Sequence, residues 1–183
     1  CVEELLGHCM RPDVAIAGAR LYYGDDTIQH AGVIVGLGGV AGHAFVGLPR
    51  SEWGYMAKAV ATQDLSAVTA ACMMVKKEVY LDVGGMTEAL AVAFNDVDFC
   101  LKVREKGWLV VYEPYAQAYH YESKSRGLEN TPEKLERFHG EMRLFRDRWK
   151  TILEEGDPYY NINLTLDRND FTLRNPYWMP VEF

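Results

Sequence analysis

The chain is short of cysteine, of positive charge and of long apolar runs. Its four cysteines, Cys1, Cys9, Cys72 and Cys100, lie 8, 63 and 28 residues apart and form no C-x-x-C pair. Cys72 and Cys100 sit inside apolar runs and are expected to be reduced, buried thiols, which favours a cytosolic compartment. The longest apolar stretch, around 67–75, is half of what a membrane span needs. No secretory leader is visible. Nineteen Lys+Arg against 26 Asp+Glu leave a net charge of −7. Phosphate contacts need a basic face, so no nucleic-acid partner is expected. Internal repeats and low-complexity tracts are absent. The chain opens on Cys1 within a helical pattern, and a piece of a longer protein is expected.

What is present suits one soluble domain. The 183 residues are 49% hydrophobic, 12% aromatic and 25% charged, which excludes disorder and collagen-like repeats. Val2, Leu5, Leu6 and Cys9 fall on one helical stripe, ended by Arg11-Pro12-Asp13. Residues 14–23 and 27–35 read as a hairpin turned by Gly24-Asp25-Asp26. Residues 36–49, with five glycines and a proline, read as a long loop. Residues 66–75 read as a buried strand, 77–83 as a short helix closed by Gly84-Gly85, and 94–107 as a second helix. Residues 108–112 make a strand stopped at Pro114, and 116–121 another. Thr131-Pro132-Glu133 starts a long helix, with Thr as N-cap, Pro at the first position and Glu at the positive end of the dipole. Leu135, Phe138, Met142, Phe145, Trp149 and Ile152 form its apolar stripe, expected to pack on the chain's own sheet. Strands alternating with helices make the chain α/β.

Four polar motifs carry competing readings. Gly36-Leu37-Gly38-Gly39-Val40-Ala41 matches a dinucleotide-binding turn, but Gly42, Gly47 and Pro49 deny it the helix it requires, which favours a loop. Asp25-Asp26 is a carboxylate pair or, more simply, turn chemistry. Asn95-Asp96-Val97-Asp98 opens a helix between two phenylalanines. Capping explains one of its carboxylates well and two less well. Asp96 and Asp98, two apart, do not share a helical face. An Asp96 pointing out of a strand end would meet a ligand where open α/β sheets bind them. His120-Tyr121-Glu122-Ser123-Lys124-Ser125-Arg126-Gly127 is either a solvated loop or a polar cluster, with His120 as a metal ligand and the two cations on phosphate. His8, His30, His43 and His139 lack such company and read as structural or surface residues.

In their order, Arg11-Pro12-Asp13-Val14, Ala17-Gly18-Ala19-Arg20-Leu21-Tyr22-Tyr23, Thr27-Ile28-Gln29-His30-Ala31-Gly32, Thr69-Ala70-Ala71-Cys72, Gly84-Gly85, Phe94-Asn95-Asp96-Val97-Asp98 and His120-Tyr121-Glu122-Ser123 are similar to a known pattern. The chain resembles family 2 glycosyltransferases, in the bacterial surface-polysaccharide branch that includes rhamnosyltransferase-like enzymes, from residue 1 to about 170. The resemblance implies a GT-A, Rossmann-like fold and an inverting transfer. A nucleotide-sugar donor binds with Mg²⁺ or Mn²⁺, and a saccharide or lipid-linked saccharide hydroxyl attacks the anomeric carbon. Asp96 matches the family's general base, although Asn95 replaces the acidic residue usual before it. His120 matches a metal ligand found in some members. The family's nucleotide-binding half and its D-x-D lie upstream of this match, and Asp25-Asp26 falls in the wrong place to be that motif.

The reading is therefore an acceptor-side part of such an enzyme over 1–156 and a tail over 157–183. Its sheet is expected to be mixed, with flanking helices and without the amino-terminal nucleotide-binding half. Asp98, Glu122, Lys124, Ser125 and Arg126 are expected to line the donor or acceptor side, with Trp53 and Tyr55 stacking on sugar. A cytoplasmic location follows, the full-length protein lying against the inner face of the membrane. Alone, the chain is expected to be inactive and to form a homodimer. The rival reading is a non-catalytic carbohydrate-binding or assembly module of the same ancestry.

Overall fold

The structure is a computed structural model, and it describes residues 1–121 and 131–174. It is a mixed α/β fold with helices flanking a mixed sheet. The centre is β1 (Val14–Tyr22), buried at all nine positions. A strand covered on both faces reads as a continuous apolar run, which this one does. Parallel to it runs β7 (Leu109–Tyr119), which pairs in turn with the antiparallel β5 (Gln63–Asp64). The other edge of β1 is shared. Its first half pairs with β6 (Met73–Val75) and its last residues with β2 (Ile28–His30), both antiparallel. A separate hairpin joins β3 (Val33–Val35) to β4 (Ala41–His43).

α1 (Val2–Cys9) covers one sheet face, where Leu5 and Cys9 meet Ala17, Ala19, Leu21 and Ala116. The larger core, on the other side, gathers Ile16, Phe99, Tyr112 and Phe145. Gly18 admits the close approach this requires. A Cβ there would lie 2.5 Å from the Cβ of Val68.

α2 (Lys77–Asp82) ends at Gly84 and Gly85 as expected. α3 spans Asn95–Glu105. α4 (Pro132–Arg148) begins at Thr131, whose Oγ1 accepts from Lys134 N, and gives way at Trp149 to α5 (Lys150–Glu155). Phe145 and Trp149 of the stripe are buried, while Leu135 at its start is 43% exposed. Phe138 and Phe145 each make a ring contact with Phe94, and Trp149 bonds to Asp98, so the stripe is held against the start of α3. No helix among the described residues is long and apolar enough to cross a membrane.

Several elements depart from the sequence reading. The strand expected to stop at Pro114 runs on to Tyr119. Its pairing jumps from Ala19↔Glu113 to Arg20↔Gln117, so residues 114–116 bulge out of register. A proline in a bulge costs no ladder hydrogen bond, which is why Pro114 does not end the strand. The apolar run at 66–75 is strand only over β6, after a 3₁₀ turn at Ala70–Cys72. The glycine-rich stretch after residue 36 contains a 3₁₀ turn at Leu37–Gly39 and the paired strand β4. Cys100 is buried, and burial pushes its thiol up to about 12, whereas Cys72 is half-buried.

The segment from 157 to 174 packs on the body. Asp157, buried, accepts from Ser66 Oγ at 2.6 Å and from Val35 N at 2.9 Å. Phe171 stacks on Phe45, centroids 4.7 Å apart, and both rings are buried.

Candidate functional site

The start of α3 sets two carboxylates apart. Phe94 precedes the helix with a φ of 62°, a conformation disfavoured for a bulky side chain. Its ring packs between Phe138 and Phe145 of α4. Asn95 and Asp96 therefore lie inside the first turn, and neither is the N-cap. Asp96 is half-buried. Its Oδ2 accepts from Ala70 N at 3.1 Å, and its Oδ1 from its neighbour Val97 N at 2.9 Å.

Asp98 faces the other way and is fully buried. It accepts from Trp149 Nε1 at 2.9 Å and from Thr87 Oγ1 at 2.6 Å, with Arg148 at 3.3 Å and Lys102 at 3.7 Å. This carboxylate, read in the sequence as a binding residue, ties α3 to the end of α4. None of its surface is exposed among these partners.

The turn that meets Asp96 is itself tethered. His30, at the end of β2, is completely buried, and its Nε2 accepts from Gly32 N and Thr69 N, both at 3.3 Å. Burial holds the His30 imidazolium well below its ordinary pKa, and nearby His43 and His120 push in the same direction. The ring is therefore neutral, with its proton on Nδ1, which has no partner among the described residues. His43 lies edge-on to it, centroids 4.7 Å apart, and its Nδ1–H donates to Gln29 O. His120 directly follows β7, where its N–H extends the β1 pairing by donating to Tyr22 O, and its buried Nδ1 is also unpartnered. His30 and His43 thus have the company that the sequence reading denied them. Their separation along the chain, 13 residues from each other and 90 and 77 from His120, hides it from any local spacing argument.

A second cluster went unread in the sequence. The Tyr22 ring at the end of β1 lies between two guanidinium groups, with Arg20 Cζ 5.1 Å and Arg50 Cζ 4.5 Å from its centroid. Arg50 donates to Gln117 Oε1 at 2.7 Å and to Tyr119 OH at 3.1 Å. An arginine buried in an otherwise apolar strand was the available signal for it.

The remaining site residues are dispersed. Trp53 is 68% exposed and Tyr55 39%, on a loop whose Met56 and Ala57 both have positive φ. Tyr55 lies flat on Phe171, centroids 5.7 Å apart. No hydrogen bond or ring contact among the described residues joins this loop to Asp96 or His120. Glu122, Lys124, Ser125 and Arg126 fall outside the described residues. Among the described residues, no three His, Cys, Asp or Glu side chains form a set able to hold a metal ion.

Similarity to known proteins completes the picture. No family model and no solved structure matches the chain. It is 50% identical over 178 residues to the uncharacterized protein y4gI of Sinorhizobium fredii, a match covering 97% of the chain and 20% of that relative. It is 33% identical over 189 residues to the O-antigen biosynthesis protein RfbC of Myxococcus xanthus, covering 94% of the chain and 13% of that relative. Over 91 residues it is 29% identical to the N-acetylglucosaminyl-diphospho-decaprenol L-rhamnosyltransferase of Mycobacterium tuberculosis, covering 46% of the chain and 30% of that relative. The chain therefore spans a fifth or less of the first two relatives.

Proposed function

We propose that the chain is the acceptor-side part of a bacterial glycosyltransferase of the GT-A type. It acts in surface-polysaccharide assembly and transfers a sugar, with inversion, from a nucleotide-sugar donor to a saccharide or lipid-linked saccharide hydroxyl. The names of the Myxococcus and Mycobacterium relatives support the reaction class. The observation that carries the residue assignment is the divergence of the two carboxylates of α3. Asp98 is sealed and bonded, whereas Asp96 is partly open, each of its oxygens accepting one peptide N–H. A general base must reach the proton it removes, and of the two only Asp96 is free to do so. Its acceptance from Ala70 N fixes the position of the carboxylate.

His120 offers one nitrogen to the Mg²⁺ or Mn²⁺ of such an enzyme. The described residues do not by themselves fit that ion, and its other ligands, like the donor's phosphate contacts, are assigned outside them. Such an ion would offset charge on the leaving diphosphate. This chain's own part is to orient the acceptor and take its proton at Asp96. Alone, the 183 residues are expected to be inactive and to sediment as a homodimer, and a monomer at micromolar concentration would remove the dimer.

The test is release of nucleoside diphosphate by the full-length protein, with Mn²⁺ and a panel of nucleoside-diphosphate sugars. Turnover that collapses in Asp96→Asn is the expected result. One rival, a carbohydrate-binding or assembly module, is favoured by the solvent-exposed ring of Trp53. That rival requires saccharide binding without turnover by the full-length protein.

A further inference from the structure

Two neighbouring peptide N–H groups in one turn point to different side chains. Thr69 N donates to His30 Nε2, and Ala70 N, the next along, donates to Asp96 Oδ2. Between them lies one residue, so only the φ and ψ of Thr69 separate the two N–H groups. Thr69 is extended, with φ −78° and ψ 143°, and its Oγ1 accepts from Ala71 N, so the turn is braced on its far side too. Gly32 N, the other donor to His30, lies in a backbone with φ 97° that a side chain would strain, and a Cβ there would sit 2.3 Å from Leu65.

We propose that His30 is a positioning residue for Asp96, acting through the backbone of Thr69 and the Ala70 N–H. A fully buried imidazole that accepts two backbone N–H bonds fixes the turn's position and leaves the Ala70 N–H aimed at the carboxylate. Its role depends on an unprotonated Nε2. The two backbone N–H groups aimed at Nε2 require that nitrogen to be the acceptor. The ring cannot be replaced by an apolar side chain of equal bulk, because the two N–H groups would then be buried without an acceptor. The consequence for catalysis rests on the reading of Asp96 as the base. The structural part stands without that reading.

The first arm of the test uses NMR on the 183-residue chain. The ring ¹⁵N shifts of His30 are expected to show Nε2 unprotonated and Nδ1 protonated, and a protonated Nε2 at neutral pH overturns the proposal. His30→Leu removes the acceptor, and His30→Gln places an amide oxygen near the same point. In His30→Leu, amide exchange at Thr69 is expected to quicken at least tenfold. The Ala70 amide proton should move toward the position it takes in Asp96→Asn, where its acceptor is weakened. His30→Gln should restore both. An Ala70 resonance that stays put while Thr69 exchanges faster overturns the proposal, since His30 would then brace the turn without reaching Asp96. If His30→Leu fails to fold, the tautomer and the Gln variant still decide it.

The second arm measures nucleoside diphosphate release from a nucleoside-diphosphate rhamnose by the full-length protein. A small displacement of a reacting group costs up to about a hundredfold in rate. His30→Leu is expected to lower kcat about tenfold to a hundredfold at nearly constant KM, with recovery in His30→Gln. Turnover insensitive to Asp96→Asn would instead defeat the reading of Asp96 as base, while the first arm's result would stand.

Discussion

Asp96 and Asp98 are two residues apart on one helical turn, yet their surroundings have little in common. Asp98 is surrounded by Trp149, Thr87, Arg148 and Lys102, gathered from α3, the end of α4, its junction with α5 and the loop between α2 and α3. Asp96 has two peptide N–H groups and an open side. The first arrangement is that of a structural tie, because a buried charge survives only when paired and hydrogen-bonded. The second leaves lone pairs available to a ligand. Helical geometry alone produces the split, since residues i and i+2 point to different faces. An acidic pair of this spacing can therefore serve folding with one member and chemistry with the other.

The largest expected effect tests the sealed side. Asp98→Ala leaves Trp149, Lys102 and Arg148 without their shared acceptor, and breaking such a buried arrangement costs about 3–5 kcal/mol. Denaturant unfolding of the variant should show a loss of that size, or no folded state. A loss below about 1 kcal/mol would mean that α4 is held by its apolar stripe alone.

Next comes the open side. Asp96→Asn is expected to leave unfolding within about 0.5 kcal/mol of the parent, as for other substitutions away from sealed contacts. In the full-length protein it should lower turnover by about 10²–10⁴, the usual contribution of general-base catalysis. Equal, modest losses of stability for Asp96→Asn and Asp98→Ala would erase the distinction between the two carboxylates and return both to helix support.

A smaller effect follows from His30. Its imidazole is neutral in the fold, whereas an unfolded histidine ionises near pH 6.5. Below that pH the unfolded chain binds a proton that the native chain refuses. Stability therefore falls as pH drops, and above it the histidine contributes no slope. Between pH 7.5 and 5.5 this loss is on the order of 1 kcal/mol. His30→Gln should show a shallower loss over the same interval, since the carboxylates common to both proteins cancel. Equal slopes would mean that His30 takes up its proton while the protein is folded.

Much of the scaffold was legible because its signals are local. β1 announces itself as a continuous apolar run, α4 by Thr131-Pro132 and a regular stripe, and the end of α2 by Gly84-Gly85. What escaped depends on long-range pairing. Pro114 reads as a strand end, and only the partner strand's register shows the bulge that absorbs it. Residues 157–183 read as a tail, because the partners of Asp157, Ser66 and Val35, lie far away in sequence. The site divides in the same way. The helix start containing Asp96 was visible as a polar break between Phe94 and Phe99, but which carboxylate would be buried was not. That outcome depends on α4 arriving with Trp149. His30 was invisible as a site residue because its partners are the backbone of Thr69 and two distant histidines.

The smallest effect extends the contrast between open and sealed groups to the aromatic loop. Trp53 presents its ring to solvent, whereas Tyr55, two residues on, lies flat against Phe171 within the group that also holds Phe45 and Tyr160. An aromatic pair contributes about 0.5–1.5 kcal/mol beyond its buried area. Tyr55→Ala should thus lower stability by about 1 kcal/mol, while Trp53→Ala should stay within about 0.5 kcal/mol, as exposed positions do. A stability loss for Trp53→Ala as large as that for Tyr55→Ala would place both rings in the fold. If Trp53→Ala is silent in unfolding, its function can be read without interference. A ring that stacks on sugar should weaken acceptor binding about threefold to tenfold when removed, from a contribution of the same size. An unchanged acceptor KM in the full-length protein would remove Trp53 from the site and leave the acceptor to the surface around Asp96.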